Sequence, residues 1–207
     1  GQLVHFVSKK SMNIDGFGEK QIKQLYKLNI IREFDDIFFL DKKNNAIMNL
    51  DGWGKKSYNN LIKSINKSKI ITLDKFIFSL GIRYVGETIS KILSKEFLKI
   101  KNFLKFSIDT ERLESIDGVG PKAINSLVNY FREQENSGAI YRLVKLLTIE
   151  NYQKPISNNF FSNKNLIFTG SLKLLSREEA KHISQQKGAK ILSTISKRAD
   201  FLIIGEK

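Results

Sequence analysis

Apolar residues along the first two thirds of the chain recur three and four positions apart, which is the spacing of amphipathic helices. Four such sets stand out, and each is expected to bury one face of a helix. The sets are Ile22, Leu25 and Tyr26; Tyr58, Leu61, Ile62 and Ile65; Ile89, Ile92, Leu93 and Phe97; and Ile124, Leu127, Val128 and Phe131. A further helix is predicted over residues 138–147.

A short turn in which apolar residues alternate with glycine precedes each of the four sets. Residues 14–18 read Ile-Asp-Gly-Phe-Gly, residues 50–54 Leu-Asp-Gly-Trp-Gly and residues 116–120 Ile-Asp-Gly-Val-Gly, while residues 83–86 form a degenerate copy, Arg-Tyr-Val-Gly. The closing glycines are 36, 32 and 34 residues apart. This spacing indicates a tandem repeat of one supersecondary unit, predicted to be a helix-hairpin-helix.

The chemistry of these turns favours a phosphate ligand. Two glycines separated by one residue let the backbone turn sharply, and they expose amide N–H groups where a helix begins. Unpaired amides at the positive end of a helix dipole form an anion site. The candidate phosphate-binding residues are Gly16, Gly18, Lys20, Gly52, Gly54, Lys55, Lys56, Arg83, Gly86, Thr88, Gly118, Gly120 and Lys122. For Arg83 a surface salt bridge is the alternative.

The apolar residue between the glycines is assigned to the core. Phe17, Trp53, Val85 and Val119 are expected to pack between helices rather than stack on bases. A purely structural role for the whole repeat would require the glycine turns to be buried.

The pattern changes type after about residue 150. Residues 151–162 form a predicted linker that contains Pro155, and residues 163–207 contain strand-like runs around a helix that opens with a Ser176/Glu179 capping box. The predicted fold is therefore mainly α, with the repeat array over residues 1–150 and a small α/β domain after the linker. Because about 45 residues make a marginal core, we expect at least one further helix and a strand beyond them, the alternative being a minimal domain.

Composition adds a basic balance to this picture. The formal net charge is +14, which favours a polyanionic partner, although lysine enrichment from an AT-rich genome is an alternative explanation. The chain has no cysteine, so it offers neither a disulfide nor a thiolate metal site. No membrane span or signal peptide is predicted. A first residue that is glycine and not methionine suggests a fragment or an incomplete reading frame.

These residues resemble the C-terminal part of bacterial NAD-dependent DNA ligases. The resemblance rests on the hairpins at residues 5–20, 50–54 and 116–121, and on Leu-Gly-Ile-Arg-Tyr-Val-Gly-Glu-Thr at residues 80–88. Residues 168–170 and 200–206 resemble the start of the BRCT domain of these ligases, which makes the α/β part a truncated BRCT-like domain. Tyr84 occupies the place of the first hairpin glycine, where the family usually varies too, so the third turn is expected to contact phosphate less well than the others. Ala189 stands where BRCT domains often carry a second glycine.

The resemblance implies that the chemical steps are carried out by other parts of such a protein. In that family a lysine in a Lys-x-Asp-Gly motif attacks NAD, passes AMP to the 5′ phosphate of a nick, and the 3′ hydroxyl then displaces it. The three Asp-Gly pairs here lack that lysine, so we expect no catalytic residue and no sealing by this portion alone. NAD, Mg and Zn are implied for the remainder of such a protein, with its nucleotidyltransferase, OB and zinc-finger domains, and no cofactor is expected in this portion.

The implied partner is nicked double-stranded DNA, in the bacterial cytoplasm near the nucleoid. In the BRCT-like part, Thr169 and Gly170 are candidates for a phosphate site, although Gly170 is more simply explained by the turn. The two histidines are not expected to be catalytic. The competing interpretation is a non-enzymatic DNA-binding or scaffold protein built from the same modules.

Overall fold

A computed structural model describes residues 1–154 and 159–206, and it divides the chain into two compact units, Gly1–Tyr152 and Gln153–Lys207. The predicted linker lies partly outside the described residues, at positions 155–158.

The first unit is helical, as predicted. Its helices are α1 (Gln2–Val7), α2 (Glu19–Lys27), α3 (Asn44–Met48), α4 (Lys55–Ser68), α5 (Leu73–Ser79), α6 (Glu87–Phe97), α7 (Ile100–Phe106), α8 (Thr110–Glu114), α9 (Pro121–Arg132) and α10 (Gln134–Leu146). A 3-10 helix spans Asp35–Lys43. The repeat units are the helices on either side of the four glycine turns, and α2, α4, α6 and α9 are the helices that follow those turns.

The apolar faces of these four helices supply much of one continuous core. Leu25, Leu61, Leu93 and Leu127 are at most 1% exposed. Tyr26 differs from its prediction, since 45% of its surface is exposed and the Arg32 guanidinium lies 4.4 Å from its ring centroid. A phenol can remain at the surface under a cation because its apolar ring is then partly covered.

The first unit also contains a two-stranded parallel sheet. Strand β1 (Ile70–Thr72) pairs with β2 (Thr148–Glu150), with Ile70 opposite Thr148. The pairing joins the segment after α4 to the segment after α10. The helix predicted over residues 138–147 is observed as α10, which begins earlier, at Gln134.

In its described residues, the second unit is a three-stranded parallel sheet with one helix. Strand β3 (Asn165–Thr169) lies between β4 (Lys190–Ile191) and β5 (Phe201–Ile204), and α11 (Arg177–Gln186) follows β3. The predicted capping box is present: the Glu179 amide donates to Ser176 Oγ at 3.2 Å, and the Ser176 amide donates to Glu179 Oε2 at 2.8 Å. Strand β4 is short, because it ends at Ile191.

Candidate nucleic-acid interface

The four turns share one backbone conformation. Gly18, Gly54, Gly86 and Gly120 are the N-cap residues of α2, α4, α6 and α9, all with extended backbone and without a capping side chain. Two positions earlier the backbone is left-handed, with φ of 77° at Gly16, 82° at Gly52, 65° at Tyr84 and 85° at Gly118. The degenerate third turn therefore has the same geometry as the others.

The middle residue of each turn anchors it to the core. Phe17, Trp53, Val85 and Val119 are between 3% and 8% exposed, as the sequence predicted. In three turns the amide of this residue closes the bend: Trp53 donates to the Leu50 carbonyl at 3.1 Å, Val85 to Ile82 at 3.0 Å and Val119 to Ile116 at 3.3 Å. The amides that follow belong to the first turn of a helix, where no intrahelical acceptor exists.

The glycine turns face solvent. A Cβ atom built on Gly16, Gly52, Gly86 or Gly120 meets no atom within 4 Å. This open space contradicts the burial that a purely structural role would require, and it lets another molecule approach the backbone closely.

Cationic side chains are placed regularly on this exposed surface. Lys20, Lys56 and Lys122 are each the second residue of the helix that follows a turn, and Thr88 holds the same position in α6. Lys55 precedes Lys56, and all five side chains are exposed. Arg83 in the third turn is exposed as well, and no carboxylate of the described residues lies within salt-bridge distance of it.

Reciprocal contacts join the first and second turns. The Asp15 amide in the first turn donates to Ser64 Oγ of α4 at 2.7 Å. In return, Gln24 of α2 donates to the Asp51 carbonyl of the second turn at 3.1 Å and accepts a hydrogen bond from Trp53 Nε1 at 2.8 Å.

The third and fourth turns form a second pair in the same way. Lys122 Nζ at the start of α9 lies 5.9 Å from the Tyr84 ring centroid in the third turn. A Cβ atom on Gly118 in the fourth turn would approach Ile92 Cδ1 of α6 to 2.8 Å. The structure thus arranges the turns as two pairs, the first with the second and the third with the fourth.

Two turns also carry a carboxylate as the first helical residue, and each carboxylate is paired with a lysine. Lys23 Nζ lies 2.6 Å from Glu19 Oε1, and this hydrogen bond lowers the pKa of Glu19. Lys10 Nζ lies 2.7 Å from Glu87 Oε1. The second turn differs, because the Gly54 amide donates to Ser57 Oγ at 3.0 Å. A phosphate there would have to replace or share that hydroxyl.

Sequence reasoning did not identify these pairing lysines. The Glu19–Lys23 pair follows the i, i+4 rule and could have been found from the sequence. The Lys10–Glu87 contact joins residues that are 77 positions apart, so only the fold places them together.

In the second unit Gly170 is required by the local backbone. Its φ is 73°, and an added Cβ would lie 2.6 Å from the Gly205 carbonyl oxygen. Thr169 is exposed, while the Arg177 guanidinium donates to the Gly170 carbonyl at 2.7 Å. Phosphate binding at Thr169 and Gly170 stays a prediction.

Within residues 1–154 and 159–206, no group of three or more His, Asp or Glu side chains is arranged to hold a metal ion. No helix described there is long and apolar enough to cross a membrane.

Two segments of the chain match models of known protein families. Residues 75–140, which contain the third and fourth turns, match the family model of the helix-hairpin-helix motif. Residues 157–207 match that of the BRCA1 C Terminus (BRCT) domain. With the described helices and sheets, these matches confirm the predicted fold class of a mainly α chain with a BRCT-like α/β part.

Individual proteins are similar to this chain over 99% of its length. The chain is 46% identical over 212 residues to the DNA ligase of Ehrlichia ruminantium, and it covers 32% of that protein. This chain is similar to part of a DNA ligase. The ligases of Rickettsia typhi and Wolbachia pipientis give 41% and 40% identity, over 31% and 32% of their lengths.

The ligase-like chain therefore spans about a third of the length of these relatives. This coverage, together with the two family matches, confirms the resemblance to a portion of a DNA ligase and is consistent with the C-terminal portion.

Proposed function

We propose that this chain holds duplex DNA by its phosphates, as the DNA-binding portion of an NAD-dependent DNA ligase that seals nicks in replication and repair. The observation that carries the proposal is the set of four exposed turns. Each turn ends in an exposed N-cap glycine at a helix N-terminus, with open space in front of Gly86 and Gly120, and the net charge of the chain is +14.

Each turn would bind phosphate with backbone amides first and a cation second. The amides around Gly18, Gly54, Gly86 and Gly120 would donate to phosphate oxygens, and the lysines on the first helical turn would neutralise their charge. Such contacts fix the position of a duplex without reading its sequence. Two pairs of turns would suit the two strands that border a minor groove, one pair for each strand.

We assign the chemical steps of nick sealing to the remainder of the ligase. The sequence contains no Lys-x-Asp-Gly motif and no cysteine, so the adenylated lysine, the NAD site and a zinc site formed by cysteines would all lie outside these residues. We expect the chain alone to bind nicked DNA without sealing it. Its partners would be the nucleotidyltransferase, OB and zinc-finger domains, in the bacterial cytoplasm near the nucleoid.

The test is a salt series of binding to nicked and intact duplexes. If the turns engage about four to eight phosphates, log affinity should fall against log salt with a slope of about −4 to −7. The double variant Gly54→Val, Gly120→Val places side chains in the path of phosphate without strain, because both backbones are extended and an added Cβ meets no atom closer than 4.0 Å. We expect this variant to lose most of the affinity and much of the slope.

Lys99→Val is the matched control. Lys99 is the N-cap residue of α7, also with extended backbone, and it lies outside the turns. Because this change removes one cation, retention of binding by Lys99→Val beside loss in the glycine variant would assign binding to the turns. Equal binding by all three proteins would refute the proposal.

The complete protein would distinguish a ligase from a non-enzymatic DNA-binding or scaffold protein. An upstream reading frame with a Lys-x-Asp-Gly motif and four cysteines would establish the ligase. In that protein, the double glycine variant should still form lysyl-AMP from NAD but should seal nicks slowly.

A further inference from the structure

Tyr84 stands where the three sister turns have glycine, and it adopts the backbone conformation of a glycine. Its φ is 65°, beside 77°, 82° and 85° at Gly16, Gly52 and Gly118. An L-residue with a Cβ atom is strained in this left-handed region, and aromatic residues are rarely found there. The turn therefore carries a cost that glycine would remove.

Burial does not offset this cost. Half of the Tyr84 surface is exposed, whereas its neighbour Val85 anchors the turn in the core. Among the described residues the phenol hydroxyl makes no hydrogen bond. Strained residues that persist although half of their surface is exposed are typical of binding sites.

Two cations lie over the ring. Arg83 Cζ lies 5.1 Å and Lys122 Nζ 5.9 Å from its centroid. Within the described parts of the chain, no carboxylate lies within 4.0 Å of either cation. Arg83 belongs to the third turn and Lys122 to the helix after the fourth, so the ring lies beside both phosphate-binding candidates of the second pair.

We infer that Tyr84 packs its ring against a deoxyribose of the duplex, between phosphates held by Arg83 and Lys122. This inference rests on the proposed function. Consecutive phosphates of a strand are joined through a sugar, which is the apolar surface that a stacked duplex exposes at the groove edge. Bases in a duplex are stacked on one another, so they offer the ring no face.

Tyr84→Gly tests the inference with two independent measurements. Restoring glycine should relieve the strain, so the urea midpoint of unfolding should rise or stay equal. The affinity for duplex DNA should fall about fivefold to tenfold, and the salt slope should stay constant because no phosphate contact is lost. Tyr84→Phe, which keeps the ring, should bind as the parent does.

Tyr141→Ala is the control, because Tyr141 is exposed on α10 outside the turns, and this variant should keep its affinity. Parent-like binding by Tyr84→Gly would overturn the inference. So would a larger loss on single-stranded than on duplex DNA, which would indicate base stacking. If the parent protein shows no salt-dependent binding, the proposed function fails. If the parent binds and Tyr84→Gly binds with the same affinity, only the sugar contact is refuted.

Discussion

Single residues within one turn meet different constraints even where the sequence repeats. In the fourth turn Gly118 has a φ of 85° and faces Ile92, whereas Gly120 has a φ of −80° and faces open space. The first glycine serves the fold and the second leaves room for a ligand. From the sequence alone the two glycines are equivalent, and only their backbone angles show that their roles differ.

Alanine substitutions should separate these roles. We expect Gly118→Ala to cost about 2 kcal/mol or more, from left-handed strain and crowding of Ile92. Gly120→Ala should cost less than about 1 kcal/mol. Gly16→Ala, which has the strain without the crowding, should fall between them. Urea unfolding measures all three, and equal losses would contradict this assignment.

The Glu87 carboxylate at the third turn offers a second test at the residue scale. Because it lies where phosphate is expected, we expect Lys10→Gln to weaken duplex binding and Glu87→Gln to strengthen it at low salt. The double variant should bind nearly as the parent does. If Lys10→Gln lowers affinity equally with Glu87 present or replaced by Gln, the lysine does not act through this carboxylate.

At the scale of elements, periodicity identified the helices after the turns, because each buries one apolar face. It did not reveal the 3-10 helix at Asp35–Lys43 or the β1–β2 pair. The run Ile70-Ile71-Thr72 has strand-forming residues, but its partner lies 78 residues away, and three residues are too few for a period. The turn sites were predictable from their glycines, whereas their pairing depends on tertiary contacts such as that of Gln24.

Gln24 should couple the first two turns energetically. In Gln24→Leu the buried indole N–H of Trp53 loses its acceptor, which should cost about 1–3 kcal/mol. Trp53 is the only tryptophan, so its emission during urea unfolding reports on this turn directly. Lys27→Ala on the same helix, at an exposed position, should change stability by less than about 0.5 kcal/mol. A similar small effect in both variants would argue against the coupling.

At the scale of the whole molecule, the two units differ in how much apolar surface they bury. The buried apolar cluster of the second unit comprises Leu166, Phe168, Ala180 and Ala189, while that of the first draws on most of its helices. Hydrophobic burial is the main favourable contribution to folding, so the second unit should be the less stable.

Calorimetry should therefore resolve two transitions, with the second unit melting first. Duplex DNA should raise the transition of the first unit, because a ligand stabilises the unit to which it binds. A single transition, or an equal shift of both, would show that the two units unfold together.

The reciprocal contacts within each pair of turns have a consequence for spacing. Within a pair, each turn contacts the helix that follows the other, so neither turn can shift without its partner. The distance between the two turns of a pair is therefore set by the fold before any DNA binds. A pair would accept a stretch of backbone whose phosphates match that distance, so the shape of the backbone, and not its base sequence, would decide which DNA is held.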